Sequence, residues 1–175
     1  ESKLNTLLSF CKQFKNEPKL AIAGLNPHSG EGGKLGREEI QWLIPLIKQW
    51  QINNPTIKIY GPIPPDTCWL KAAQAWHDNP EESTPDGFLA LYHDQGLIPM
   101  KLIAFDQAVN TTLGLPFVRT SPDHGTAFDI AWEGTADPGS LFQAVQLATQ
   151  LSKKKIAKVA ARPTEQTLVP HSNPV

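Results

Sequence analysis

Gly87-Phe88-Leu89-Ala90-Leu91-Tyr92-His93-Asp94-Gln95-Gly96 opens as an uninterrupted apolar run and ends abruptly in a polar cluster. A run of this kind, without alternation, reads as a β-strand buried on both faces, as in a parallel sheet covered by helices. In open α/β sheets ligands bind beyond the carboxyl ends of the strands, so His93 and Asp94 fall where chemistry is expected.

Outward from this stretch, short apolar runs alternate with helical periodicity. Upstream, Leu4, Leu7, Leu8, Cys11 and Phe14 recur at helical spacing and predict an amphipathic helix over residues 1–15. Residues 19–24 then read as a strand, and residues 25–36 as a polar, glycine-rich loop. Ile40, Leu43, Ile44 and Ile47 mark a helix over 37–50, with Glu38 and Glu39 at the positive end of its dipole and Pro45 expected to bend or locally weaken it. Residues 57–60 predict another strand, followed by a helix to about His77 capped by Asp66 or Thr67. Residues 78–85 are acidic, proline-bearing and without period, an expected exposed loop.

Downstream, residues 97–104 read as a short helix, and 108–113 and 116–120 as extended segments around Gly114 that form a strand pair or a bent strand. Ser121-Pro122-Asp123-His124-Gly125-Thr126-Ala127 is a second polar loop, and residues 140–158 predict a long helix. Residues 162–175 carry Pro163, Pro170 and Pro174 and no pattern, an expected disordered or loosely packed tail. Strands alternating with helices imply a layered α/β fold with a mostly parallel sheet.

The chain has 175 residues and a formal net charge of −1, with Lys and Arg dispersed, so the basic footprint of a nucleic-acid binder is missing. Lys153, Lys154 and Lys155 read as a solvated helix end. No apolar stretch approaches the roughly 20 residues of a membrane span, and the first residues lack a signal-peptide pattern, which implies a soluble protein without a membrane partner. Cys11 and Cys68 share no metal-type spacing and are expected to be buried, reduced thiols, which fits a cytoplasmic location. The chain starts at Glu1, already in helical pattern, and is read as a fragment of a longer protein.

His28 and His93 each follow a strand directly, and in a parallel sheet both project from one edge. Converging imidazoles begin a transition-metal site, although each alone is equally a hydrogen-bonding loop residue. Asp66 and Asp94 occupy equivalent strand-end positions. Lys101, inside the apolar Pro99-Met100-Lys101-Leu102-Ile103, must snorkel to the surface or meet an anion, and Arg119 ends an apolar strand in the same fashion. Gly30-Glu31-Gly32-Gly33-Lys34-Leu35-Gly36 has the strand-to-helix context of a phosphate-cradling loop. It is no P-loop, because Leu35 stands where Ser or Thr must hold magnesium.

Asn26-Pro27-His28-Ser29-Gly30-Glu31-Gly32-Gly33, Gly61-Pro62-Ile63-Pro64-Pro65-Asp66-Thr67, Tyr92-His93-Asp94-Gln95-Gly96, Val109-Asn110-Thr111-Thr112-Leu113-Gly114-Leu115-Pro116-Phe117-Val118-Arg119-Thr120-Ser121 and Asp123-His124-Gly125-Thr126-Ala127 resemble, in order, the motifs of the 4-hydroxythreonine-4-phosphate dehydrogenase family of pyridoxal phosphate biosynthesis. The resemblance spans residues 20 to about 150 and implies the layered α/β/α architecture of isocitrate and isopropylmalate dehydrogenases. It makes residues 1–161 the C-terminal portion of a larger two-domain subunit.

By that resemblance the protein oxidises and decarboxylates 4-phosphooxy-L-threonine with NAD or NADP and a divalent cation (zinc, cobalt, manganese or magnesium), as a homodimer. His28 and His93 then fall on metal-ligand positions, a third histidine belonging to the other half. Lys101, Asn110 and Arg119 fall on positions that hold the phosphorylated hydroxy amino acid, Asp66 and Asp94 on acidic active-site positions, and His124, Gly125 and Asp129 on the dinucleotide loop. Trp132 departs from the small residue usual there, and residues 78–85 lengthen one interval. A dehydrogenase of another phosphorylated hydroxy acid, a metal-dependent hydrolase and a dimerising fragment without activity are the rival readings. The isolated chain is expected to turn over little or no substrate.

Overall fold

A computed structural model describes residues 1–77 and 84–160, the side chains of 156–160 excepted. The expected loop at 78–83 and the tail at 162–175 lie outside the described residues. Thr84 and Pro85 are described, and Pro85 is buried rather than exposed.

The sheet centres on β1 (Leu20–Ala23), with β2 (Ile59–Ile63) parallel on one side and β3 (Gly87–Leu89) parallel on the other. All of β1 is inaccessible to solvent. Leu20 and Ile22 pack into a cluster with Leu4, Leu8 and Cys11 of α1 (Ser2–Cys11), with Leu43, and with Ile47 and Trp50 of α2 (Ile44–Asn53). On the opposite face Phe88, level with Ala21, meets Trp69 at a ring-centroid distance of 5.7 Å, just ahead of α3 (Leu70–His77). α1 and α2 thus cover one face of a parallel sheet and Trp69 packs on the other, an α/β arrangement of the expected class.

The strand buried on both faces is β1, not the run at 87–92. β3 stops at Leu89 because the Leu91 amide turns to the Gln95 side chain, donating to Oε1 at 2.7 Å, and Tyr92 faces solvent. The next helix, α4 (His93–Ala104), starts at His93 rather than near Leu97 and so takes in the polar cluster. Its first turn has no apolar period, which is why pattern alone placed the start too late.

At Pro45 the α-helical bonding is locally interrupted, in line with the expected weakening. A π turn, Glu39–Leu43, precedes it and absorbs the missing N–H before α2 begins. β2 includes Gly61 and Pro62, expected as loop, through a register shift opposite β1. Neither Asp66 nor Thr67 caps α3; Thr67 Oγ1 donates back to the Pro64 carbonyl at 3.3 Å and the helix begins at Leu70.

β4 (Val109–Thr111) and β5 (Thr120–Pro122) form the expected pair, antiparallel and separate from the parallel sheet. α5 (Gly139–Ala160) holds them: Ser140 Oγ donates to the Ala108 carbonyl at 2.7 Å, and Thr120 Oγ1 donates to that of Ala144 at 2.9 Å. Lys154 donates to the Gln13 carbonyl and lies 4.0 Å from the Phe14 ring centroid, and Lys155 donates to that of Pro116. Lys154 and Lys155 are therefore tethered to other segments, while Lys153 is exposed as expected.

Burial is uneven along the chain. The buried cluster is drawn from residues between Leu4 and Ile57, whereas Leu102 and Phe128 are each 82 % exposed and Trp132 is fully exposed. No helix among the described residues is long and apolar enough to cross a membrane.

Candidate functional site

Beyond β1 the chain enters an unusual turn, Pro27–Gly33, in which His28, Ser29, Gly30, Glu31 and Gly32 all adopt left-handed φ/ψ, with φ between 42 and 80°. Non-glycine residues held there cost on the order of 1–3 kcal/mol each and persist only where surrounding structure overdetermines them. Glu39 supplies that structure. Its carboxylate has no solvent exposure and accepts hydrogen bonds from the Leu25 amide (2.8 Å), the Asn26 amide (2.8 Å) and Asn26 Nδ2 (2.8 Å). Asn26 Nδ2 also donates to Glu38 Oε2 at 2.7 Å.

Burial by itself would raise the pKa of Glu39; the bonds from the Asn26 amide and side chain and the Leu25 amide outweigh it and hold the carboxyl below its usual range. Gly30 is required at φ +80°, because a Cβ would lie 2.8 Å from Glu39 Oε2 and 2.9 Å from the Gly36 carbonyl. Glu38 and Glu39 do open the helical segment, but they serve the preceding loop rather than only the helix dipole.

The loops that follow β2, β1 and β3 are laced together. The Gly24 amide donates to the Ile63 carbonyl at 2.7 Å, Ser29 Oγ to that of Pro62 at 3.1 Å, and Gln95 Nε2 to that of Gly24 at 2.7 Å. Asp66, His28 and His93 consequently stand on adjacent loops at one carboxyl edge of the sheet, all exposed. His93 Nδ1 is 2.7 Å from Asp94 Oδ1, which orients the ring and leaves Nε2 available. Two imidazoles on neighbouring loops have the ligand chemistry to supply part of a divalent transition-metal site. Among the described residues no three His, Cys, Asp or Glu side chains are arranged to hold a metal ion.

The expected anion-binding residues divide. Asn110 lies opposite Ser121, and the Thr112 amide donates to the Arg119 carbonyl at 3.1 Å, so strand alternation puts Asn110 and Arg119 on the same face of the β4–β5 pair. Both are exposed, and Arg119 donates to Thr112 Oγ1 at 2.8 Å. A cavity of about 680 Å³ flanks Arg119, walled by Phe10, Phe117 and Leu151 among others. Lys101 meets an anion inside the chain: its Nζ donates to Asp123 Oδ2 at 2.8 Å and to the Asp123 carbonyl at 3.0 Å.

Asp123 also fixes the start of the second polar loop, its amide donating to Ser140 Oγ at 3.1 Å. Beyond it His124, Gly125 and Asp129 are exposed, with His124 Nδ1 donating to the Gly125 carbonyl at 2.8 Å and Asp129 in a short 3-10 turn, Phe128–Ile130. Trp132 adopts φ +69°, a left-handed conformation that suits a glycine better than an indole.

Gln95 and Asp123 were legible only as members of motifs and Glu39 only by its place at the helix dipole, so sequence reasoning assigned none of them a role at the site. Each makes bonds to residues far along the chain, and the only signal was a polar residue amid an apolar or glycine-rich context. Cys11 and Cys68 are buried free thiols, as expected.

The pyridoxal phosphate biosynthetic protein PdxA family matches residues 1–148. The chain is 55 % identical over 152 residues to the 4-hydroxythreonine-4-phosphate dehydrogenase of Synechococcus sp. (strain RCC307), covering 86 % of this chain and 46 % of the relative. It is similar to the crystal structure of 4-hydroxythreonine-4-phosphate dehydrogenase from Klebsiella pneumoniae, with TM-score 0.69, 40 % identity and coverage of 85 % of this chain and 42 % of that one. A terephthalate 1,2-cis-dihydrodioldehydrogenase from Burkholderia xenovorans LB400 is also similar, with TM-score 0.56, 32 % identity and coverage of 82 % and 42 %. The chain thus spans less than half the length of the relatives it matches. With the match running through the strand-end loops of His28 and His93 to residue 148, this chain belongs to the PdxA family of pyridoxal phosphate biosynthetic proteins.

Proposed function

We propose that this chain contributes to an NAD(P)-dependent, metal-dependent dehydrogenase that converts 4-phosphooxy-L-threonine to 3-amino-2-oxopropyl phosphate in pyridoxal phosphate biosynthesis. The observation that carries the reading is the placement of His28 and His93 on adjacent strand-end loops in a chain of the PdxA family. The substrate's secondary alcohol loses a hydride and a proton, and the resulting β-keto acid loses carbon dioxide. When bound, the divalent cation (zinc, cobalt, manganese or magnesium) supplies Lewis acidity to the substrate oxygens, and NAD or NADP takes the hydride.

The chain's own residues do the rest. His28 and His93 hold the cation, and Asp94 fixes the tautomer of His93. Asp66 stands at the same edge as a candidate for moving the alcohol proton. Asn110 and Arg119 present an amide and a guanidinium on one face for the phosphate, the guanidinium offering paired donors. Lys101 adds its charge where the phosphate competes with Asp123. His124, Gly125 and Asp129 form the dinucleotide loop.

The share of the relatives' length supports reading residues 1–161 as the C-terminal portion of a two-domain subunit. The exposed Leu102, Phe128 and Trp132 support a homodimer that covers them. The protein is assigned to the cytoplasm, in keeping with its reduced thiols.

In the full-length protein, His28→Ala and His93→Ala are each expected to lose metal and to lower kcat/KM by at least about 100-fold, since even outer-shell changes at metal sites cost 10–100-fold. Elemental analysis and NAD(P)H formation from 4-phosphooxy-L-threonine check this; full metal occupancy in both variants would overturn it. The 175 residues alone are expected to give little or no NAD(P)H, and vigorous turnover by them would refute the shared-site reading. The pairing of Lys101 with Asp123 favours a second reading, a dehydrogenase of another hydroxy acid with less demand for phosphate, which a substrate profile would reveal.

A further inference from the structure

We infer that Glu39 and Gln95 are positioning residues that set the separation of His28 and His93 by locking their two loops onto the same backbone segment, 24–26. The inference rests on the reading of those histidines as metal ligands.

Glu39 and Gln95 are among the few buried polar side chains of the described chain, and each sits close to one histidine loop. Glu39 grips Leu25 and Asn26 immediately before the left-handed turn that carries His28. Gln95, two residues beyond His93, spends both ends of its amide on backbone: Oε1 accepts from Leu91, and Nε2 donates to the Gly24 carbonyl. Gly24, Leu25 and Asn26 are consecutive, so the loops are referred to one short backbone segment rather than to each other through solvent. Ser29 Oγ on the Pro62 carbonyl adds a third tie on the far side of His28.

A buried carboxylate and a buried amide with matched partners are costly to place and costly to disturb. The strained turn at His28 needs such a clamp, because left-handed His28 and Ser29 would relax to ordinary backbone without one. Relaxation would swing His28 relative to His93 while leaving each imidazole intact. The clamp therefore acts on geometry, and its loss should appear as loss of joint binding rather than loss of either ligand.

The test is a Co²⁺ titration of the full-length protein that contains this chain, followed by the hyperfine-shifted imidazole resonances of His28 and His93, each assigned by its alanine variant. In the unaltered protein both resonances should shift together as one ion binds. In Glu39→Gln and Gln95→Ala the affinity should fall about 10- to 100-fold and the histidines should respond at different Co²⁺ concentrations, the range typical of outer-shell changes. Leu8→Ala, in the core and remote from the loops, should lower the melting temperature while leaving joint binding unchanged. If Glu39→Gln does not fold, Gln95→Ala decides. Joint binding retained at full affinity in a folded Gln95→Ala protein overturns the clamp and leaves the metal pair standing. Failure of His28 and His93 to bind jointly in the unaltered full-length protein overturns the metal pair and the clamp with it.

Discussion

Cys68 and Glu39 are both buried, and burial acts on them with opposite results. Nothing compensates the Cys68 thiolate, so burial pushes its thiol up to about 11. At pH 8 roughly one molecule in a thousand then carries the thiolate, the species that reacts. Cys68 is expected to resist iodoacetamide at pH 8 in the native chain and to be modified once denaturant is added, as read by mass spectrometry. Native modification at the rate of a free peptide thiol would show that the side chain is not enclosed. Glu39, by contrast, is compensated by three donors and stays below its ordinary range. Its sign follows: the stability it adds is complete above the ordinary glutamate pKa and is lost as pH falls through the lowered value. Neither outcome could be read from residue type. The partners of Glu39 are 13 and 14 residues away in sequence, and only the folded turn brings them to it.

At the scale of elements, α2 is braced against α1 through Trp50, which is 1 % exposed and donates from Nε1 to Asn5 Oδ1 at 2.7 Å. Trp50→Ala should cost about 3–5 kcal/mol, the range for emptying a large aromatic site. Urea unfolding measures it, and a loss below about 1 kcal/mol would mean that the helices do not depend on this contact. The helical period made α1, α2 and α5 legible, because each buries a stripe. The start of α4 and the turn at His28 were not legible. The first has no apolar residue in its opening turn, and the second puts His28 and Ser29 in a left-handed conformation that their types do not favour, just beyond the Leu25–Asn26 backbone that Glu39 binds. Glycines at 30, 32 and 33 hinted at positive φ without indicating that the residues between would share it.

Across the whole molecule, apolar runs and their polar ends located the sheet and the edge whose adjacent loops carry His28, Asp66 and His93. The pairing of Lys101 with Asp123, across 22 residues and between separate elements, lay beyond pattern. The uneven burial along the chain has a consequence for time. Amides of β1, inside the cluster built from residues between Leu4 and Ile57, should be among the last to exchange with deuterium, on the scale of global unfolding. Those of β4, β5 and the exposed turns of α4, with little buried around them, should exchange through partial openings. His28 stands on an exposed turn just beyond the slow strand β1, and His93 opens α4 on the faster side. Gln95 is the seam between the two clocks.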